Sequence, residues 1–249
     1  MSTNERPKRK SSCRYDDSAN ISIKRQKRSK ELLAYFKSYK YGLGDWHLPL
    51  FKAVYDWITQ TEKLPVKVLY PGCYNHITTS LVFDNVVYID SDPKMTKFFG
   101  DDAVKDWVKE QKHYDGDTSI QFECLDFSSL ENKFEVESFD LLISACAGFV
   151  TPSTSLLLKN GGYCLVSDAH FDARMLSLDK NFTLVAVWDT ADEKFVFDAD
   201  ILSQHFVTQK GEPITQAMVD ESAAKPKTRR SFKLKKEAMF YLFIKNIEN

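Results

Sequence analysis

The 249-residue chain lacks the cysteine patterns of a disulfide framework or a zinc site. Its five cysteines are an odd number, with no C-x-x-C pair and no histidine at ligand spacing. Cys124, Cys146 and Cys164 lie within apolar runs, where a reduced cysteine behaves as a small core hydrophobe. This usage predicts a reducing compartment, and therefore an intracellular protein, nuclear or cytoplasmic if the host is a eukaryote. No metal site is predicted.

Long apolar runs are missing as well. The longest uninterrupted one, around Leu141 to Val150, is far shorter than the roughly 20 residues that a helix needs to cross a bilayer. The charged N-terminus is followed by no apolar segment of the kind found in secretory signals. We therefore expect a soluble protein with no membrane partner.

The formal net charge of -1 conceals a strongly basic N-terminus. Between Met1 and Lys40, twelve Lys or Arg residues oppose four Asp or Glu residues. Residues 1–28 contain almost no large apolar side chains, so we expect a disordered tail. Lys8–Lys10 and Lys24–Arg28 resemble the two arms of a bipartite nuclear import signal, and the same charges would suit nucleic-acid phosphates. An import receptor and nucleic acid are thus the candidate partners of the tail.

Residues 29–249 are predicted to form one α/β domain that begins with helices over 29–64. One helix starts near Ser29, and a second has apolar residues on one face. That face contains Leu50, Phe51, Val54, Trp57 and Ile58. Five apolar strands follow, at 66–70, 86–89, 120–124, 139–143 and 163–166, with helical sequence from Met95 to about Lys112. Near-continuous apolar strands separated by helical stretches indicate a parallel sheet covered on both faces.

The C-terminal part has a different pattern. Two strong strand candidates, 182–188 and 238–244, are separated by an acidic stretch and then a basic one, Lys225 to Lys236. The long interval and the aromatic content of the last strand predict that these two strands pair antiparallel. The basic stretch has two open interpretations, a solvated loop or a surface that carries a phosphate-bearing acceptor.

This order of elements resembles the class I, Rossmann-like methyltransferases that use S-adenosylmethionine (SAM). The resemblance covers the chain from about Lys67 and implies a mostly parallel seven-stranded sheet with a C-terminal antiparallel strand pair. It also implies SAM as the cofactor and methyl transfer to an acceptor that the sequence does not identify. Ligands of such sheets bind at the carboxyl ends of the strands, beside the topological switch point.

The first turn, Tyr70–His76, departs from the D/E-x-G-x-G-x-G pattern of that family. Tyr70 stands in place of the acid and Gly72 keeps the first glycine, whereas Tyr74 and His76 replace the second and third. The family's glycines give the backbone freedom and leave room for the ligand. The resemblance implies cofactor contacts at Tyr70 and Gly72. The alternative is that Gly72 only forms a tight turn.

Two acids match the family's cofactor contacts better. Asp90 ends the second strand, where the resemblance implies that a carboxylate holds the ribose hydroxyls. Asp126 follows the third strand, where the family places a polar contact to the adenine amino group. Alternatively, Asp90 and Asp92 only cap and turn the chain before the next helix.

Candidate catalytic groups follow the fourth and fifth strands. Cys146 is interpreted as a core or pocket-lining thiol, because no Pro-Cys nucleophile pair is present. His170 is the candidate general base, with its ring oriented by Asp168 or Asp172. The alternative for this cluster is a polar loop that caps a helix starting near Asp172.

Three functions remain open on the sequence alone. The first is a SAM-dependent methyltransferase of unknown acceptor. The second is a catalytically inactive protein of the same fold that binds or scaffolds, and the third is a nucleic-acid-binding protein that uses the basic tail. A nicotinamide dehydrogenase is disfavoured because no G-x-G-x-x-G follows the first strand.

Overall fold

The computed structural model describes residues 26–27, 30, 47–61, 66–226 and 232–247. The predicted disordered tail and the helix predicted from Ser29 lie almost entirely outside these residues. Within them, no helix combines the length and apolar character needed to span a bilayer.

One mixed sheet organises the part of the chain that the structure describes. Its strands are β1 Lys67–Pro71, β2 Asn85–Asp90, β3 Ser119–Cys124, β4 Phe139–Ser144, β5 Leu158–Ser167, β6 Phe182–Asp189, β7 Lys194–Val196 and β8 Phe240–Lys245. Their order across the sheet is β3-β2-β1-β4-β5-β8-β6-β7. The first five strands are parallel, and β8 lies antiparallel between β5 and β6. The Rossmann-like fold and its C-terminal antiparallel pair are therefore confirmed.

The strand count differs from the predicted seven. The additional strand, β7, pairs with the end of β6 from Val187 to Asp189 and lies at the sheet edge. It has only three residues, which are too few to show the alternation that marks a strand in sequence.

Helices and short 3₁₀ turns cover the sheet. Besides the helical residues Gln26, Lys27 and Lys30, the helices in the described ranges are α1 His47–Thr61, α2 Lys94–Phe99, α3 Asp102–Gln111, α4 Thr151–Thr154, α5 Asp172–Leu178, α6 Ala199–Leu202 and α7 Gln216–Ala224. The 3₁₀ turns are Thr78–Leu81, Phe127–Asn132 and Ser155–Leu157. The helical sequence predicted from Met95 to Lys112 is confirmed, and it forms two helices, α2 and α3. Gly100 ends α2, and the Asp101 carboxylate accepts the Ala103 N–H at 3.0 Å to start α3.

Two hydrophobic layers lie on the two faces of the sheet. The predicted apolar face of α1 is confirmed, because Leu50, Phe51, Val54 and Ile58 are fully buried in one layer. The other layer includes Leu176 of α5. Full burial of a large aliphatic or aromatic side chain contributes about 1.5–3 kcal/mol, so this contact stabilises the packing of α1 on the sheet.

The cysteines divide by position along their strands. Cys73 and Cys164 are buried, whereas Cys124 and Cys146 are exposed, and all four are free thiols. The core role predicted for Cys124 is therefore wrong, and for Cys146 only the interpretation as a pocket-lining thiol remains as a prediction. Cys124 is the last residue of β3 at the sheet edge, and Cys146 follows the end of β4, where side chains leave the covered part of the sheet.

Candidate functional site

The strand order places a crevice at the carboxyl ends of β1 and β4. From β1 the chain runs outward through β2 to β3, and then returns to β4 on the other side of β1. Open α/β sheets bind their ligands at such a switch point. The first turn and Asp90 lie at this edge, because Pro71 and Ile89 are paired at the ends of β1 and β2.

Gly72 makes a tight turn directly after β1. Its φ is +65°, a left-handed conformation that favours glycine, and its N–H donates to the Ile89 carbonyl at 2.8 Å. A Cβ at this position would lie 2.1 Å from the Ala147 Cβ. The loop after β4 therefore occupies the room that the absence of a side chain at Gly72 creates.

Tyr74 keeps a glycine-like backbone although it carries a bulky side chain. Its φ is +46°, and its N–H donates to Asp90 Oδ2 at 2.7 Å. The residue is 41% exposed, so its side chain is accommodated at the surface of the turn. The turn thus retains a left-handed residue at the second glycine position, stabilised by a charged acceptor.

His76 directs its bulk into the core. The residue is 4% exposed, and its Nδ1 lies 2.7 Å from the Tyr70 hydroxyl. Burial lowers the pKa of His76 well below its usual value and raises that of Tyr70, so both groups are neutral at neutral pH. The ring of His47 on α1 packs at 4.4 Å from the His76 ring, and burial lowers its pKa to about 3. The side chain of His76, at the third glycine position of the family pattern, is therefore packed in the core beneath α1.

The same bond directs the Tyr70 hydroxyl to His76 in the core. Its side chain is buried against Tyr88 in the layer under α1. A cofactor contact at Tyr70 stays a prediction. Because the side chain is buried, the backbone of Tyr70 would have to make that contact.

Asp90 joins the first turn to the end of β2. Its Oδ2 accepts the Tyr74 N–H, and its Oδ1 accepts the Asp92 N–H at 2.8 Å. A carboxylate has about four lone-pair sites, so about two remain for further donors on this half-buried group. The Asp92 carboxylate instead accepts the N–H of Lys94, the first residue of α2, at 2.9 Å. The turn-forming alternative thus describes Asp92 fully, whereas Asp90 retains capacity for a ligand.

Asp126 starts the 3₁₀ turn Phe127–Asn132. Its Oδ1 accepts both the N–H and the hydroxyl of Ser128, at 2.9 and 2.6 Å, and these bonds lower the pKa of Asp126. Asp126 therefore caps this turn through Oδ1. A contact to adenine stays a prediction, and the other carboxylate oxygen, Oδ2, would have to make it.

The two acids after β5 do not orient His170. Asp168 pairs with Arg174, whose Nε lies 2.7 Å from Asp168 Oδ2. Burial raises the pKa of Asp168 to about 6, against the opposing effect of Arg174. Within the described ranges, the hydrogen bonds of Asp168 and Asp172 include none to His170. The ring-orienting hypothesis is therefore replaced, while His170 itself lies half-buried at the carboxyl end of β5.

Asp172 instead fixes the loop after β4. Its buried carboxylate accepts the Ser144 hydroxyl at 2.6 Å, together with the N–H and hydroxyl of Thr151, at 3.1 and 2.7 Å. Burial raises the pKa of Asp172, and these bonds oppose the rise. Both ends of the segment that carries Cys146 are thus attached to one carboxylate.

Cys146 has a left-handed backbone with φ +63°, and its N–H donates to the Ser167 hydroxyl at 2.9 Å. The loop is consequently held against both β5 and the first turn. Sequence reasoning missed Thr151 and Glu237, which complete the Asp172 and Arg174 networks. No local signal marks Glu237, because it lies 63 positions from its partner.

Among known proteins, the chain is similar only to solved structures, several of which are methyltransferases. No protein-family model matches the sequence, and no curated protein is significantly similar to it. An arsenic(III) S-adenosylmethionine methyltransferase from Chlamydomonas reinhardtii is 20% identical, with a TM-score of 0.34 over 41% of this chain and 38% of that chain. A methyltransferase from Geobacter sulfurreducens is 14% identical, with a TM-score of 0.41 over 69% of this chain and 91% of that chain.

A third structure, the plantazolicin methyltransferase BpumL in complex with SAH (S-adenosylhomocysteine), is 11% identical. Its TM-score is 0.43 over 94% of this chain and 92% of that chain. The sequence identity and the TM-score are low for all three structures.

Proposed function

We propose that this protein is a SAM-dependent methyltransferase whose acceptor is not yet known. Asp90 carries the proposal, because it lies at the switch-point edge, retains lone pairs for two hydroxyls, and holds the first turn beside it. The residues present fit the nucleoside half of the cofactor, with Asp90 for the ribose and Asp126 for the adenine amino group. The room beside Gly72 is taken by Ala147.

The protein's contribution to methyl transfer would be mainly positioning. SAM supplies an electrophilic methyl group on a sulfonium, which an acceptor atom attacks in line. Asp90 would bind the ribose, and Asp172 would keep the loop after β4 against the first turn. Where the acceptor must lose a proton, His170, which follows β5, would accept it. Asp168 would stabilise the architecture through Arg174 without a role in the reaction.

One observation favours a second candidate, a catalytically inactive binding protein of the same fold. The contact between Gly72 and Ala147 uses the space that glycine leaves free at the first turn. In this alternative the loop that carries Ala147 closes the crevice to a cofactor, and the protein binds a partner through its surface. A direct binding measurement separates the two candidates.

The first prediction is that Asp90→Asn weakens binding of S-adenosylhomocysteine about ten- to a hundredfold. This corresponds to about 1.5–3 kcal/mol, the usual value of a hydrogen bond to a charged group. Calorimetric titration of the full chain measures the effect. Thermal melts of the same samples are needed, because Asn at position 90 also places an amide against the N–H of Tyr74 or Asp92.

Asp92→Asn is the matched control. It removes the same charge two residues away, and Asn accepts the Lys94 N–H about as well as Asp does. We expect its affinity to stay within a factor of about three of the parent. Equal losses at both positions would contradict the ribose role of Asp90. A parent protein that binds neither SAM nor its product would favour the inactive candidate.

For the basic tail we also propose nuclear targeting, on the strength of its sequence. Replacing Lys24, Arg25, Lys27 and Arg28 with Ala is expected to reduce nuclear accumulation of a fluorescent fusion in a eukaryotic cell, because these charges would occupy acidic grooves of an import receptor. Unchanged accumulation would refute the import role. Replacing Lys8, Arg9 and Lys10 instead distinguishes two types of signal: a bipartite signal would lose accumulation, whereas a one-part signal at Lys24–Arg28 would keep it.

A further inference from the structure

Three exposed lysines form a ridge just before the last strand. Lys233, Lys235 and Lys236, here called the lysine ridge, all lie at the surface, whereas Leu234 between them is 5% exposed. The ion pairs found within the described part of the chain involve none of the three. The ridge is therefore a concentration of positive charge that intramolecular ion pairs do not neutralise.

The backbone of the ridge is attached to the fold. The Lys235 N–H donates to the Val207 carbonyl at 2.9 Å, and Leu234 and Lys236 form bridges with Thr208 and His205. Ligands gain affinity when the groups that bind them are already held in place, because less ordering entropy is lost. The backbone that carries the lysines is thus preorganised.

Arg174 anchors the same segment and also engages its nearest acid. The guanidinium lies between the rings of Phe171 and Phe232, at 4.9 and 4.6 Å, and donates to the Phe232 carbonyl at 2.9 Å. Its Nη2 lies 3.3 Å from Glu237, which directly follows the ridge. Arg174 is shared by Asp168 and Glu237, so these three groups leave one negative charge beside the three lysines, and the segment keeps an excess of two positive charges.

The adjacent chain leaves this balance unchanged. The hairpin that follows Thr208 carries one exposed charge of each sign, Lys210 and Glu212. The net positive charge of this surface therefore comes from the ridge itself.

The ridge lies at the same end of the sheet as the candidate site. The first residue of β8, Phe240, is paired with the last residue of β5, Ser167. Since β8 runs antiparallel to β5, the residues that precede Phe240 lie beyond the carboxyl end of β5. Asp168 and His170 leave β5 at this same end, so the lysines flank the side of the crevice that contains the proposed base.

We propose that the lysine ridge binds the phosphate backbone of a nucleic-acid acceptor and presents it to the site. The assignment of the acceptor rests on the proposed methyltransferase function. Lysine ammonium groups bind phosphates by charge without reading sequence, and such contacts position a nucleic acid on a protein. Single-stranded RNA and DNA share this chemistry, and the contacts of the 2′-hydroxyl distinguish them.

The test measures binding of a fluorescent single-stranded RNA to the full chain by anisotropy over a series of salt concentrations. In the ridge variant, Lys233, Lys235 and Lys236 are replaced by Gln. Each lost phosphate contact lowers the salt slope of a single strand by about 0.7, so the slope is expected to fall by about 2. If the ridge variant and the parent bind equally at 1 M salt, this difference in slope makes the variant bind about a hundredfold more weakly at 0.1 M salt. A DNA strand of the same sequence forms the second arm.

The charge-matched control replaces Lys97, Lys105 and Lys109 by Gln. These exposed lysines lie on α2 and α3, by β3. Five strand spacings separate β3 from β8, roughly 24 Å. The basic tail is the same in all samples, so they differ only in which three lysines are replaced. We expect the control to keep the parent's slope within about 0.7.

Four results would overturn the proposal. These are equal losses in ridge and control variants, an unchanged ridge variant, no binding by the parent, or stronger binding to phosphatidylserine vesicles than to either strand. Calorimetry with S-adenosylhomocysteine is performed on the same variants. We expect the ridge variant to lose affinity for RNA and to keep its affinity for S-adenosylhomocysteine. The RNA measurement therefore tests this proposal, and the calorimetry tests the cofactor proposal independently.

Discussion

Arg174→Met is expected to lower the free energy of unfolding by about 3–5 kcal/mol at pH 8, the usual cost of breaking a buried ion pair by removing one partner. Arg174 is 4% exposed, so its loss leaves the Asp168 carboxylate charged and unpaired in the interior. Methionine fills much of the space between Phe171 and Phe232 and packs favourably against aromatic rings. The loss is thus mainly electrostatic. Denaturant unfolding monitored by circular dichroism measures it.

The pH dependence identifies the cause of this loss. Asp168 has a pKa of about 6 in the folded protein and an ordinary value of 3.8. Between these values the folded state keeps a proton that the unfolded state releases, so this group makes stability fall as the pH rises. Without Arg174, whose charge opposes the rise, the folded pKa moves higher still. The variant should therefore be less destabilised at pH 5, where Asp168 is protonated, than at pH 8.

A second substitution provides the control. Asp168→Asn in the Arg174→Met background removes the orphaned charge and is expected to recover part of the lost stability at pH 8. A destabilisation that is equal at pH 5 and pH 8 and is not relieved by Asp168→Asn would show that packing, and not the ion pair, holds this segment.

Gly72→Ala is expected to lower the free energy of unfolding by about 2–5 kcal/mol, the sum of two separate costs. A left-handed backbone costs an L-residue roughly 1–2 kcal/mol, and forcing extra atoms into a packed contact costs about 1–3 kcal/mol. The second cost arises because the new Cβ would lie 2.1 Å from the Ala147 Cβ. Thermal and denaturant unfolding measure the sum.

Two further variants separate the terms. Gly116 has a φ of +86° with nothing within 4 Å of an added Cβ, so Gly116→Ala should cost only the conformational part. Adding Ala147→Gly to Gly72→Ala removes the steric partner and should restore most of the steric part. Equal costs at positions 72 and 116 would mean that the loop after β4 moves aside readily. The crevice beside Gly72 would then be open to a ligand.

Local patterns were sufficient for the elements of the fold. The apolar runs at Val66–Tyr70 and Val86–Ile89 predict strands because buried parallel strands are apolar throughout, and both occur in the sheet. The position of Asp90 at a strand end was also readable, since strand ends follow from where the apolar run stops. The break at Gly100–Asp101 had a local signal too, a glycine followed by a capping acid.

The roles of the polar side chains could not be read in this way. Asp168, Asp172 and Asp126 have the same chemistry in sequence, and each is bound to a different kind of partner in the fold. No sequence motif around Asp168 or Asp172 identifies the residue that each of them binds. The prediction that one of them orients His170 was wrong for this reason.

The sequence alone determined the parallel order of the first five strands, the antiparallel close of the sheet and the acid at the end of β2, because burial periodicity and strand ends are local properties. Only the tertiary structure decided that Ala147 lies on Gly72, that His76 turns beneath α1, and that Arg174 joins α5 to the segment before β8. These contacts connect residues far apart in the chain. Their geometry depends on how the loops pack once the sheet exists, which no local pattern encodes.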